Sequence, residues 1–419
     1  TKTAAQTITG TLSATLASGD ILYGSVDNGA SWTDITSKVS STDITWNTAT
    51  LSGSNNVLFK ITDAAGNDSA TTGSTAYELD TTIPTQTVSS VDISADTGTS
   101  ATDFLTKTAA QTITGTLSGV LATGDILYGS VDNGSNWTDI TSKVSSTAIS
   151  WDGATLSGSN NVLFKITDAA GNDSATTGST AYELDTTIPT LTVSSVDISA
   201  DTGTSATDFL TKTAAQTITG TLSATLASGD ILYGSVDNGA SWTDITSKVS
   251  STAISWDGAT LSGSNNVLFK ITDAAGNDSA TTGSTAYELD TTIPTQTVSS
   301  VDISADTGTS ATDFLTKTAA QTITGTLSGV LATGDILYGS VDNGSNWTDI
   351  TSKVSSTAIS WDGATLSGSN NVLFKITDAA GNDSATTGST AYELDTTIPT
   401  QTVSSVDISA DTGTSATDF

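Results

Sequence analysis

The chain has 419 residues, with 44 Asp and Glu against 12 Lys, no Arg, no His, no Cys and a formal net charge of −32. A nucleic acid needs cations to displace its counterions, so this balance excludes it as a partner, and anionic membrane surfaces with it. No apolar run approaches the roughly 18 residues of a membrane span, so no membrane insertion is expected.

"TKTAAQTITGTL" opens at Thr1, Thr106, Thr211 and Thr316, and "YELDTTIPT" recurs at Tyr77, Tyr182, Tyr287 and Tyr392. The chain is therefore four near-copies of one 105-residue block, less a leading Leu. Such a period is too long for a solenoid unit and is the size of a free-standing domain. A catalytic site needs to occur once, whereas a length of stalk needs to occur many times. No leader peptide precedes Thr1 and no Met is present, so the chain is expected to be a piece of a longer protein.

Taken in order, one block is strand after short strand. "QTITGTL" (6–12) sets Ile8 and Leu12 on one face, and "DILYGSV" (20–26) alternates likewise. "NVLFKIT" (56–62) turns Val57, Phe59 and Ile61 inward and Lys60 and Thr62 outward; "TAYELD" sets Tyr77 and Leu79 opposite Glu78 and Asp80. This period-two alternation, rich in Thr, Val, Ile and aromatics, is the strand signal. Turns break it at Ser18-Gly19-Asp20, Asp27-Asn28-Gly29, Gly53-Ser54-Asn55 and Ala65-Gly66-Asn67. About seven strands in about 100 residues predict an Ig-like β-sandwich, with Trp32 and Trp46 as its large core members. The fold class expected is all-β, four tandem Ig-like β-sandwich units arranged as an extended rod.

The only Pro of each block, Pro84, Pro189, Pro294 and Pro399, follows directly on the "YELD" strand. Pro donates no ladder hydrogen bond and stiffens its neighbourhood, which suits a junction. Linkers are thus placed at 80–85 and its equivalents, and the next unit opens with "TVSSVDIS" from Thr87. The units become 1–85 (lacking its first strand), 86–190, 191–295 and 296–400. Residues 401–419 are a spare first strand, able to make a head-to-tail contact with another molecule's first unit by strand addition.

Two groups of carboxylates stand out in each block. One is "DAAGND" with the following strand's end, and the other is "VDISADTGTSATDF". The metal-ligand candidates are Asp63, Asn67, Asp80, Asp92, Asp96 and Asp103, repeated as Asp168, Asn172, Asp185, Asp197, Asp201 and Asp208. The third copies are Asp273, Asn277, Asp290, Asp302, Asp306 and Asp313, and the fourth Asp378, Asn382, Asp395, Asp407, Asp411 and Asp418. Calcium takes six to eight oxygens from Asp, Asn and backbone carbonyls in irregular loops, whereas Mg²⁺ prefers to keep its waters. Zinc and copper lack their His and Cys ligands. Asp63, Asn67 and Asp80 are expected at the C-terminal pole of one unit, facing Asp92, Asp96 and Asp103 at the N-terminal pole of the next across the linker. Asp27, Asp34 and Asp68 are read as turn or surface groups.

"SVDNGASW" (25–32) resembles the Asp-box turn of sialidase propellers, with Asn136 and Asn346 at the hydroxyl position in copies two and four. One box per block cannot build propeller blades, and Asn-Gly between alternating strands already predicts a hairpin. Asn67-Asp68-Ser69 and Asn136-Trp137-Thr138 fit the glycosylation sequon, a short pattern that arises easily by chance.

"DAAGN", a last strand ending "LDTTIPT" and then "VDISADTG…DFLT" together resemble the Ig-like extender repeats of giant RTX-type bacterial surface adhesins, the ice-binding kind included. The resemblance covers the whole chain. It implies a calcium-loaded β-sandwich, strung in large numbers between a membrane anchor and distal binding domains. The family's junction calcium would fall on Asp63, Asn67 and Asp80 with Asp92 and Asp96. The partners expected are calcium ions and neighbouring repeats of the same chain, in a monomeric extracellular rod. Alternatives are a repeated glycan- or protein-binding module acting by avidity, and a glycosidase, which needs a positioned carboxylate pair. Four near-copies with no unique constellation weigh against an enzyme.

Overall fold

The computed structural model describes residues 1–406. The described residues are all-β, with no α-helix among them, and are built of tandem β-sandwiches. It divides into two compact units. The first takes in Thr1–Thr190 with Ala227–Ile231 and Ile271–Ser279, and the second takes in the remainder.

Within the first unit, the second copy of the block is complete. One sheet runs Val144–Ser145, Ala148–Thr155, Ala110–Leu117 and Val88–Ile93, all antiparallel. The other runs Thr138–Asp139, Ile126–Ser130, Ser159–Thr167, Thr177–Leu184 and Leu105–Thr106, the last pair parallel. The leading strand Val88–Ile93 thus lies in the same sheet as Ala110–Leu117, with Ile93 opposite Ile113 and Val88 opposite Leu117. The chain between Glu78 and Val88 belongs to no strand. Alternation does the sorting that period two demands: Val162, Phe164 and Ile166 are each 0% exposed, while Leu163, Lys165 and Thr167 between them are not buried.

The core closes around Trp151 and Phe164, whose rings meet edge to face at 6.5 Å and 73°. Such a pair contributes about 0.5–1.5 kcal/mol beyond the area it buries. Gly129 on the facing strand makes room for it, because a Cβ there would stand 2.6 Å from Trp151 Cζ3. Tyr182 crosses the end of the sandwich. Its hydroxyl donates to Val131 O and accepts from Ser157 N–H.

The expectation for Trp32 is corrected. Trp46 and its equivalents are core residues, but Trp32 and Trp137 lie on the outer face, half-exposed. Lys60 Nζ sits 5.1 Å from the Trp32 ring and 5.6 Å from that of Tyr23, and is ion-paired to Asp68 at 2.7 Å. The physical reason is the hairpin turn. Asn28 and Gly29 both take positive φ, 59° and 86°, and the turn delivers Trp32 onto the solvent side of the sheet. There its ring is shared with a cation rather than with the core.

In the second unit the fourth copy repeats both sheets, from Val298–Ile303 to Thr387–Leu394. In the third copy Val193–Ile198 again pairs with Ala215–Leu222. The first copy is different. Its sheets are Ala5–Thr11, Asp43–Thr50 and Val39–Ser40, and Thr33–Asp34, Ile21–Ser25, Ser54–Thr62 and Thr72–Glu78.

Changing Gly24, Gly129, Gly234 and Gly339 together to Ala should overpack every Trp site, at about 1–3 kcal/mol per copy. Gly119→Ala, whose Cβ would find its nearest neighbour at 3.9 Å, should stay within about 0.5 kcal/mol. Urea unfolding of the two variants separates them.

Candidate junction site

The acidic loop 94–104 of the second copy is tied down by Gln111. Its Oε1 accepts from Ala95 N–H at 2.9 Å and its Nε2 donates to Thr108 O at 2.7 Å. Phe104 takes a φ of 61°, which turns its N–H onto Asp96 Oδ2 at 3.1 Å. The other oxygen, Asp96 Oδ1, is buried with no hydrogen-bond partner, and Asp201 Oδ1 and Asp306 Oδ1 repeat this in the next two copies. Burial pushes the Asp96 carboxyl above its ordinary value. The Phe104 N–H opposes that push, and the charges of Asp103 and Asp92 add to it. Asp201 is raised in the same way.

The "DAAGN" loop has the opposite character. Asp168 Oδ1 accepts from Ala170 and Asn172 N–H at 2.9 and 2.8 Å, and its Oδ2 accepts from Asn172 Nδ2 at 2.9 Å. These bonds, that of the Asn172 side chain first, hold the Asp168 carboxyl below its ordinary value. The Asp-box carboxylates are satisfied likewise. Asp132 accepts from Ser130 Oγ, Asn136 N–H and Asn136 Nδ2, and is pulled down to about 2, the Asn136 backbone bond first. Asn136 thereby makes the contact that Ser31 makes to Asp27 in the first copy.

The loops meet in an arrangement that corrects the expected poles. Asn172 Nδ2 donates to Asp80 O at 2.8 Å, so the Asp168–Asn172 loop faces the copy before its own. The acidic loop faces the copy after its own. Thr97 Oγ1 donates to Ala275 O at 2.8 Å, Thr99 N–H to Ala274 O at 3.1 Å, and Asn277 Nδ2 to Asp185 O at 2.9 Å, all inside the first compact unit. In the second unit Thr202 Oγ1 bonds Ala380 O and Asn382 Nδ2 bonds Asp290 O, each at 2.8 Å. Asp63 and Asn67, with no such loop against them among the described residues, are exposed.

The cause is a two-residue strand. Leu105–Thr106 pairs in parallel with Glu183–Leu184, and Asp185 N–H bonds Thr106 O at 2.9 Å. This lays Asp96 and Asp103 beside the outgoing segment of their own copy, with Asp185. It does not lay them across the linker from Asp80. Asp92 is exposed on its strand, its Oδ1 accepting its neighbour's N–H at 2.9 Å. Asp197, Asp208, Asp302 and Asp313 occupy the equivalent positions in later copies, with Asp273 and Asp378 opening the "DAAGN" loops; Asp395 directly follows the strand Thr387–Leu394. Asp407, Asp411 and Asp418 lie outside the described residues.

A lysine completes each joint and was not singled out in the sequence. Lys2, Lys107 and Lys212 Nζ donate to Gly171, Gly276 and Gly381 O, each at 2.5 Å. The signal was its position next to the acidic loop in "DFLTK". Gly98 lets the loops close, since a Cβ there would stand 2.6 Å from Ala274 O.

Among the described residues no group of three or more Asp or Glu side chains converges as a metal site. The feature that suits a hard cation is narrower: the buried, unpartnered Asp96 oxygen in a loop that also offers backbone carbonyls. Among the described residues no helix is long and apolar enough to cross a membrane.

No family model and no curated protein matches the chain. Solved structures to which it is similar include Sidekick-1 immunoglobulin domains 1–5, at 10% identity over 89% of this chain and 73% of that one, with a TM-score of 0.20. The BSP domain of a biofilm associated protein is 11% identical over 88% and 80%, TM-score 0.17. A Streptomyces avermitilis α-L-rhamnosidase complexed with L-rhamnose is 13% identical over 74% of this chain and only 41% of its own, TM-score 0.17.

A raised carboxyl pKa favours the fold while the group is protonated. That contribution is complete below the ordinary carboxylate value and is lost as pH rises through the raised one. In chelator, Asp96→Asn with Asp201→Asn should therefore melt higher than the parent at pH 7, and the gap should close on acidification through that window. Calorimetry at the two pH values checks it.

Proposed function

We propose that this chain is a calcium-rigidified spacer, the extender region of a large bacterial cell-surface adhesin that holds distal binding domains away from the cell. The observation that carries the reading is the recurrence of one joint. Asn172, Asn277 and Asn382, each no more than 8% exposed, donate to the carbonyls of Asp80, Asp185 and Asp290 just past the last strand of the preceding copy. A geometry repeated at three successive junctions suits a chain whose work is length and stiffness, and it gives no copy a distinct chemical task. On this reading the chain is extracellular and not an enzyme.

Calcium would be held by Asp96, Asp103 and loop carbonyls, and by their equivalents in later copies. It would supply the positive charge that the unpartnered oxygen of Asp96 lacks. The chain's own residues set the joint: Gln111 fixes the acidic loop, Gly98 admits the neighbouring loop, and Thr97 and Asn277 tie the two together.

The alternative, a glycan- or protein-binding module acting by avidity, is favoured by one observation. Each copy carries a half-exposed aromatic pair on its outer face, such as Tyr128 and Trp137. Lys165 already lies 5.5 and 5.1 Å from those rings, so a ligand would first have to displace it.

Two measurements test the spacer. In millimolar calcium the chain should melt higher than in chelator, since a ligand at a hundredfold excess over its Kd adds about 2.7 kcal/mol per site, with Kd about 10⁻⁴–10⁻³ M. Equal melting temperatures would sink the metal. Small-angle scattering should give a rod: four units of about 40 Å each have a radius of gyration near 50 Å, against about 22 Å for one globule of this length. A compact profile in calcium would end the spacer reading.

A further inference from the structure

We propose that the Asn-Gly bond in the outer turn of every copy is a deamidation site that the fold holds closed. It is Asn133-Gly134 in the second copy, and Asn28-Gly29, Asn238-Gly239 and Asn343-Gly344 in the others. The reaction needs only water. The Gly134 nitrogen loses its proton to solvent and attacks Asn133 Cγ, the Cγ–Nδ2 bond breaks, and ammonia leaves. Water then opens the five-membered imide at either carbonyl, giving Asp or isoaspartate. One water is taken up and one ammonia released, with no change of oxidation state. Glycine after Asn favours this ring closure, because no Cβ shields the attacking nitrogen.

Attack requires a free Asn133 amide and a free Gly134 N–H, and the turn ties up both. Gly134 N–H donates at 2.9 Å to the hydroxyl of Ser130, a buried residue. Asn133 is itself exposed, so hydrogen bonds rather than burial hold it. Its Oδ1 accepts from Asn161 N–H at 2.8 Å and from Asn161 Nδ2 at 2.9 Å, and its Nδ2 donates to Asn160 Oδ1 at 2.6 Å. Two main-chain groups fix which way these amides face. Asn161 N–H can only donate, and Ser157 O, which takes Asn160 Nδ2 at 2.6 Å, can only accept. Trp137 closes the outside. A Cβ on Gly134 would stand 3.3 Å from Trp137 Cζ2 and 3.5 Å from Leu163 Cδ1, so the glycine lies against that ring. This gives the half-exposed Trp a task that neither the core nor the junction supplies. The lock recurs in every copy: Gly29, Gly239 and Gly344 N–H donate to Ser25, Ser235 and Ser340 Oγ, each at 2.9 Å. Asn28, Asn238 and Asn343 Oδ1 likewise accept from Asn56, Asn266 and Asn371 N–H. Reaction would undo the turn. A carboxylate at 133 would set an oxygen against Asn160 Oδ1, where a donor now stands. Isoaspartate would add a carbon to the main chain between two residues that both take positive φ, 59° and 82°.

Peptide mapping by mass spectrometry of the full chain, aged at mildly alkaline pH, tests this. All four bonds should lose ammonia at least about tenfold more slowly in the folded chain than in urea, since reaction waits on local opening. Trp137→Ala removes an outer-face ring and should speed the loss at Asn133. The other three bonds should keep the parent rate, so each molecule carries its own controls. Asn160→Ala takes away the acceptor of Asn133 Nδ2 and should act in the same way. Hydrogen exchange over Ile126–Ser130 and Ser159–Thr167 distinguishes an opened turn from an unfolded copy. Equal rates in the folded and unfolded chain overturn the proposal. So does an Asn133 that reacts no faster in either variant. Acceleration found only where exchange shows the whole copy unfolded overturns it as well.

Discussion

Burial of Val88 and Ile93 against Ile113, Leu117 and Phe164 is the contact on which each complete copy depends. The strand that makes it comes straight out of the linker, so closing the core also fixes where the preceding copy leaves off. Its far end runs into the acidic loop, and Gln111 and Thr106 anchor that loop to the same sandwich. One strand therefore couples three things that could have been separate: a sealed core, a positioned linker and an outgoing pole anchored by hydrogen bonds. In the first copy, against which no such strand lies among the described residues, Phe59 and Tyr77 are incompletely covered although their neighbours in sequence are unchanged.

The alternation that builds the sheets is written plainly in the chain. Val162, Phe164 and Ile166 are inward because period two leaves them no other face, whereas bulges interrupt the alternation in Val88–Ile93 and Ala148–Thr155. Trp32 was misread because alternation orders residues within a strand, and it stands just past a turn of two positive-φ residues. The poles were misread for a different reason. Leu105–Thr106 is too short to signal as a strand, and its parallel partner lies almost eighty positions away. A short non-local pairing leaves no local pattern, yet it decides which acids share a pole. That the acids at 96 and 103 form a special loop could be read from clustering; which neighbour they face could not.

The abundant carboxylates fall into two kinds, and composition alone does not separate them. Asp27, Asp132 and Asp168 cap turns, accept several hydrogen bonds and are held below their ordinary pKa. These ionised groups stabilise local backbone, and their contribution is present above the ordinary carboxylate value and lost as pH falls through the lowered one. Asp96 and Asp201 accept too few bonds and are pushed the other way. An ionised oxygen out of contact with water and without a donor is destabilising, and its repetition at one position in three copies is hard to reconcile with accident. The spacing of Asp residues points to both kinds alike; only the donors around each oxygen tell them apart.

The joints follow from the same distinction. The two later joints are each made of a few hydrogen bonds, from an Asn amide, a Thr hydroxyl, a backbone N–H and a Lys ammonium, and the first shares the Asn amide and the Lys ammonium. A typical net contribution is about 0.5–1.5 kcal/mol per bond, and the Lys contact, being exposed, stands at the low end through solvent screening. Their strength lies in direction rather than energy. The amide of Asn277 is bonded at once to Asp273 within its own loop and to Asp185 of the preceding copy. A tilt at the joint would strain a loop that is itself closed on Asp273. The unpartnered oxygen of Asp96 sits in the loop that supplies the Thr97 bond, one residue away. The charges of Asp103 and Asp92 act on the same short segment that the neighbouring copy grips through Thr97.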